Sequence, residues 1–75
     1  MDSSIRIDMT GTGQRIDTLR KDAGLTVRDI QSCLGLASAQ AVYKWLSGKS
    51  LPSIDNLVIL SAILHVSLDD LIVRC

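Results

Sequence analysis

Apolar residues recur at helical spacing along most of the chain, and Gly, Ser or Thr at the boundaries divides the pattern into five segments. Ile16, Leu19 and Ala23 form an i, i+3, i+7 stripe, and Gly24 follows as a stop, which predicts a first helix over residues 12–23. Thr26 with Asp29 three residues on has the form of a capping box. Ile30, Cys33 and Leu34 supply the buried face of the second helix, which Gly35 ends. Ser38 caps a third run that Gly48 closes; Val42, Trp45 and Leu46 share its apolar face, while Gln40, Lys44 and Ser47 fall on the other. Pro52 and Ser53 precede a fourth helix over 54–65, and Ser67 with Asp70 opens a fifth over 68–73.

Ahead of this pattern, apolar and polar residues alternate from Ile5 to Met9 and break into Thr10-Gly11-Thr12-Gly13. Residues 1–13 therefore read as a short extended arm, either frayed or touching a partner subunit or DNA. The expected architecture is all-α: that arm, then one compact five-helix domain over 14–73. With 75 residues there is room for no second domain.

Only Gly35-Leu36-Ala37 separates the second and third helices, the length and chemistry of a helix-turn-helix spanning about residues 26–47. In such a unit the first helix crosses the DNA backbone and the second places its N-terminal half in the major groove. Gln40 can pair bidentately with adenine, and Lys44 one turn later reaches guanine or a phosphate. Tyr43 neighbours both on the helical wheel and either contacts DNA or packs inward; Trp45 points to the core.

The run from Gly13 through Arg15-Ile16 to Ala23-Gly24-Leu25-Thr26 and on to Ile30-Gln31, then Gln40-Ala-Val-Tyr-Lys-Trp45, Gly48, Leu51-Pro-Ser-Ile-Asp-Asn-Leu57 and His65-Val-Ser-Leu-Asp-Asp-Leu71, resembles the Cro/repressor-type (XRE) helix-turn-helix family of bacterial and phage transcription regulators. The resemblance covers about residues 13–73 and implies a lambda-repressor-like five-helix domain that binds double-stranded operator DNA, usually as a dimer. Aligned from Gly48, Ala39, Gln40 and Lys44 fall on the family's base-reading positions with Tyr43 close by, and Ala39 offers only a methyl group. Two departures stand out. Val27 occupies a position where many members carry Gln, and the stretch from Gly35 to Gly48 is one residue longer than in the commonest members.

Phosphate contacts are assigned separately, because backbone contacts carry affinity and base edges carry specificity. The candidates are the amides at Thr26 and Val27, with Arg15, Arg28, Ser38, Lys49 and Ser50 around them. Four cations per subunit (Arg15, Arg28, Lys44, Lys49) would give a dimer at most eight phosphate contacts and a salt slope no steeper than about −7.

Net charge adds a polarity. Eight Lys/Arg balance eight Asp to a formal charge of zero, which alone argues against a nucleic-acid binder. The balance is a cancellation: residues 14–50 carry +3, residues 51–75 carry −2 and residues 1–13 carry −1. Helix four is apolar almost all round, more than so small a domain covers from one side. This predicts either a wholly intramolecular core or a two-fold interface through helices four and five involving Ile59, Ile63, Ile72 and Val73. His65, late in helix four, suits the negative end of its dipole.

Other chemistry is excluded or weak. Cys33, Cys75 and one His cannot assemble a four-ligand metal site, so both thiols are expected free and no metal or cofactor is expected. There is no Glu, and Gly11-x-Gly13 lacks the rest of a dinucleotide fingerprint, so neither an enzyme nor a small-molecule substrate is expected. The apolar run from Leu57 to Leu64, broken by Ser61, falls far short of the ~18 residues of a membrane span. Asp2, Ser3 and Ser4 ahead of Ile5-Arg6-Ile7 do not form a signal peptide, which points to the cytoplasm. The functional expectation is a sequence-specific regulator acting as a repressor; the alternative is an antitoxin-like interaction module that also binds its own promoter.

Overall fold

The computed structural model describes residues 5–75, which form five helices: α1 Met9–Asp22, α2 Val27–Cys33, α3 Gln40–Ser47, α4 Ile54–Leu64 and α5 Leu68–Leu71. Four of the five ends follow one design. After α1, α2, α3 and α4 the chain turns left-handed at Gly24, Gly35, Gly48 and His65 (φ 73°, 65°, 80° and 58°). The next amide then bonds back across the last turn: Leu25 to Arg20, Leu36 to Gln31, Lys49 to Lys44 and Val66 to Ser61. This closure satisfies carbonyls that a helix end leaves unpaired, and glycine is its natural residue.

Among the described residues, His65 is therefore the one side chain held in a conformation that costs an L-residue roughly 1–2 kcal/mol. His65→Gly relieves that cost but adds freedom to the unfolded chain, for an expected net gain of about 0.5–1 kcal/mol. A denaturation midpoint that falls would contradict the strain.

N-terminal caps follow the sequence at α2, α4 and α5. Thr26 and Asp29 form the reciprocal capping box, and the Ser53 and Ser67 hydroxyls accept from Asn56 and Asp70 N–H. Two starts differ from expectation. Helix α1 begins at Met9, three residues before Thr12, because Asp8 caps it by accepting from Gly11 N–H at 2.9 Å. The extended arm thus shrinks: residues 9–13 are helical, and Ile7 pairs antiparallel with Arg74. The remainder of the arm, residues 1–4, lies outside the described residues. Helix α3 begins at Gln40, two residues after Ser38, whose hydroxyl meets Gln40 N–H only at 3.4 Å. Helix α5 stops at Leu71 rather than Val73, since residues beyond it turn extended to meet the N-terminal segment.

The core is one cluster of Ile16, Ile30, Val42, Trp45, Leu57, Leu60, Leu64 and Leu71, drawn from all five helices. Helix α1 packs most extensively on α3. Gly13 makes that approach possible: a Cβ there would run into the Trp45 carbonyl oxygen and lie 2.7 Å from that of Leu46. Buried Thr12 beside it holds the tail, accepting from Val73 N–H at 3.0 Å. No helix among the described residues is long and apolar enough to cross a membrane.

Candidate nucleic-acid interface

Helix α3 is amphipathic by placement of few residues. Val42 and Trp45 are buried, Ala41 and Leu46 pack half-buried beside them, and the opposite face leaves Gln40, Tyr43, Lys44 and Ser47 in solvent. Tyr43, 59% exposed, is thereby assigned to the outer face. Trp45 is in the core, as its wheel position predicts. Ser47, which shares the exposed face, donates its hydroxyl to the Lys44 carbonyl.

The link between α2 and α3 runs from Leu34 to Ala39, six residues against the three expected. The closure at Gly35 consumes Leu34 to Leu36, and Ser38 does not start the helix. Ala39 becomes the N-cap residue of α3 and is half-buried, with Gln40 exposed directly after it. At the other end, Lys49 and Ser50 N–H both bond to the Lys44 carbonyl, fixing the following loop to α3. Lys49 is exposed and Ser50 partly so.

Around α2, Arg28 is exposed and borders a shallow depression with Gln31, Ser32, Gly35 and Leu36. Val27 is half-buried against the core. At Thr26 the geometry limits anion binding. Its N–H donates to the Asp29 carboxylate at 2.8 Å, and its hydroxyl accepts from Asp29 N–H. These Thr26 contacts, backbone first, hold the Asp29 carboxyl below the usual carboxylate range. A carboxylate already occupies that helix end, leaving the Val27 amide and the Thr26 hydroxyl proton for a phosphate. Arg15 is tied to another element: its Nε donates to the Asp70 carbonyl on α5.

One contributor carried only a weak signal in the sequence. Arg20 donates to Asp17 at 3.0 Å and to the Leu25 carbonyl at 2.9 Å, tying α1 to the turn that presents Thr26. The Arg20 hydrogen bond leads the effects that lower the Asp17 carboxyl below its ordinary value; partial burial opposes it, and Lys21 assists. The i, i+3 spacing of Asp17 and Arg20 was readable, but the Leu25 partner was not.

A short, solvent-facing polar helix held on a preceding helix by a glycine-closed turn defines a helix-turn-helix DNA-binding module. A family model described as helix-turn-helix matches residues 16–71. The chain belongs to that family, of the Cro/repressor type its residues resemble, and DNA-binding transcription regulation is its function.

Solved structures are similar. The restriction-modification controller protein C.AhdI from Aeromonas hydrophila has a TM-score of 0.75 at 26% identity, covering 85% of this chain and 96% of that one. A transcriptional regulator from Listeria innocua has a TM-score of 0.74 at 28% identity, covering 81% of this chain and 56% of its own. The clp gene regulator ClgR from C. glutamicum shares the fold, with a TM-score of 0.72 at 21% identity over 84% of this chain and 80% of that one. No curated protein matches the chain.

Proposed function

We propose that this protein is a sequence-specific repressor that binds a two-fold operator as a homodimer in the cytoplasm, with no catalytic role. One observation carries the reading: the exposed face of α3 gathers Gln40, Tyr43 and Lys44 at its N-terminal end and middle, on a helix anchored by buried Val42 and Trp45. Gln40 reads an adenine edge through its paired donor and acceptor, and Lys44 takes a guanine or phosphate. Tyr43 lies against the backbone or a thymine methyl, and Ala39 contributes a methyl surface.

Lys49, Arg28, Ser38, Ser50 and the Val27 amide, with the Thr26 hydroxyl, meet phosphates. Arg15 is tied to α5 by its Nε alone, and its two terminal nitrogens complete the set. Four cations per subunit then give a dimer at most eight phosphate contacts and a salt slope no steeper than about −7. Titration of a mixed-sequence duplex at several salt concentrations tests this: a slope between about −3 and −7 is expected, and one near zero removes DNA from the account.

The dimer finds support on α4, where Ile54 is 74% and Val58 50% exposed and Ala62 continues the stripe. Ile59, Ile63, Ile72 and Val73 are only half-buried, and Ile63 and Ile72 pack on the core, so they border the interface while Ile54 and Val58 form its centre. Two subunits joined by a two-fold axis would present their α3 helices to half-sites about 34–36 Å apart.

A further inference from the structure

We propose that Thr12 is a positioning residue for base reading: through its hydroxyl the C-terminal tail fixes the first turn of α1, and through that turn the orientation of α3. The proposal rests on α3 being the reading helix.

Thr12 is the buried polar side chain of the described core, 1% exposed. Its hydroxyl accepts from Val73 N–H at 3.0 Å and donates to the Val73 carbonyl at 3.4 Å, across 61 residues of sequence. The same carbonyl accepts from Asp8 N–H at 2.8 Å, and Cys75 N–H donates to the Arg6 carbonyl at 2.9 Å beside the Ile7–Arg74 pair. Residues 6–8 and 73–75 thus close on the turn that starts α1.

That turn also meets the C-terminal end of α3. Gly13 abuts the Trp45 and Leu46 carbonyls, and Thr10 lies against Gly48. At its N-terminal end α3 has no side-chain cap beyond the long Ser38 contact. Its orientation is therefore set mainly by its buried face and by what presses on its far end. A small tilt about that end moves Gln40 furthest. Paired hydrogen bonds to a base edge do not tolerate such a shift, whereas the long stems of Lys44 and Lys49 let them follow a phosphate. Loosening the tail is expected to erode sequence preference while leaving general affinity in place.

The test compares wild type, Thr12→Ser, Thr12→Val and Cys75→Pro in the full chain, at a temperature where circular dichroism shows each folded. The readout is the affinity ratio between a selected duplex and a random one, with amide exchange followed at Val73 and Lys49. Thr12→Val, which leaves the Val73 N–H without its partner while the Val73 carbonyl keeps its bond from Asp8 N–H, should cut the ratio about fivefold, a fraction of one base contact. It should also speed exchange at both amides. Thr12→Ser should behave as wild type. Cys75→Pro removes only the exposed bond to Arg6 and should lower the ratio less; it decides the matter if Thr12→Val fails to fold. An unchanged ratio in folded Thr12→Val, or in Cys75→Pro where Thr12→Val is unfolded, overturns the proposal. A wild type without any preference overturns the reading of α3 itself.

Discussion

Gly13→Ala should destabilise the protein by about 3 kcal/mol or more, although alanine in a helix interior ordinarily stabilises by about 1 kcal/mol over glycine. The reversal follows from the crossing of α1 and α3. The added methyl would meet two backbone carbonyls, those of Trp45 and Leu46, and backbone cannot rotate aside as a side chain can. The helices must separate, and the layer around Ile16, Val42 and Trp45 loses its contacts. Gly24→Ala is the control: φ is 73° but no atom lies within 4 Å, so only the left-handed strain of about 1 kcal/mol applies. Chemical denaturation of the two variants separates close packing from backbone conformation. A Gly13→Ala protein as stable as wild type would mean that α1 and α3 lie farther apart.

Trp45→Ala is the second large effect, at about 3–5 kcal/mol. The indole is 6% exposed at the centre of a cluster fed by every helix, and Trp45 is one of only two aromatic residues in the chain. A domain of this length has a total stability of roughly 4–11 kcal/mol, so the variant should be near or past its unfolding midpoint at 37 °C. Because Trp45 is the chain's only tryptophan, circular dichroism must report the loss. Tyr43→Ala, two positions earlier and on the solvent face, should cost less than about 0.5 kcal/mol. Equal losses would mean that α3 is rotated about its axis.

Both predictions concern how α3 is held, and the sequence was uneven on that point. The helix stops at Gly24, Gly35 and Gly48 were legible because left-handed closure demands a residue without a Cβ. The Thr26–Asp29 box and the division of α3 into inner and outer faces were legible because each depends on neighbours within one or two turns. What was not legible depends on distant partners. Residues 9–13 look like a glycine-broken arm, yet Asp8 caps them and Val73 ties them down from the far end of the chain. Arg15 resembles a free surface cation until α5 supplies a carbonyl for it. Ser38 is a good cap by type, but Ala39 takes the cap position and α3 starts at Gln40, one residue later than a Ser38 cap would start it. His65 was legible as the end of helix four by its charge, but not as its left-handed cap, a position that glycine holds at the three preceding helix ends. The outer face of α3 was legible because it is defined by α3 alone, whereas the Nε partner of Arg15 lies on α5, 55 residues away.

The charge polarity has a bearing on how affinity divides. Asp55, Asp69 and Asp70 lie on α4 and α5, and Arg28, Lys44 and Lys49 on or beside α2 and α3, a polarity that under the proposed reading favours one orientation of approach to DNA. On the proposed reading, few cations on the DNA-facing side are expected to make binding moderate, with base contacts taking a larger share of discrimination.

The most direct test of the central claim is selection of bound sequences from a random duplex pool by wild type, Gln40→Ala and Lys49→Ala. Gln40→Ala should relax preference at one base pair in each half-site, worth about 1–3 kcal/mol there, while Lys49→Ala should weaken all sequences alike and leave the preferred motif intact. If Gln40→Ala instead lowers affinity uniformly and keeps the full motif, the α3 face does not read the base, and the account is contradicted.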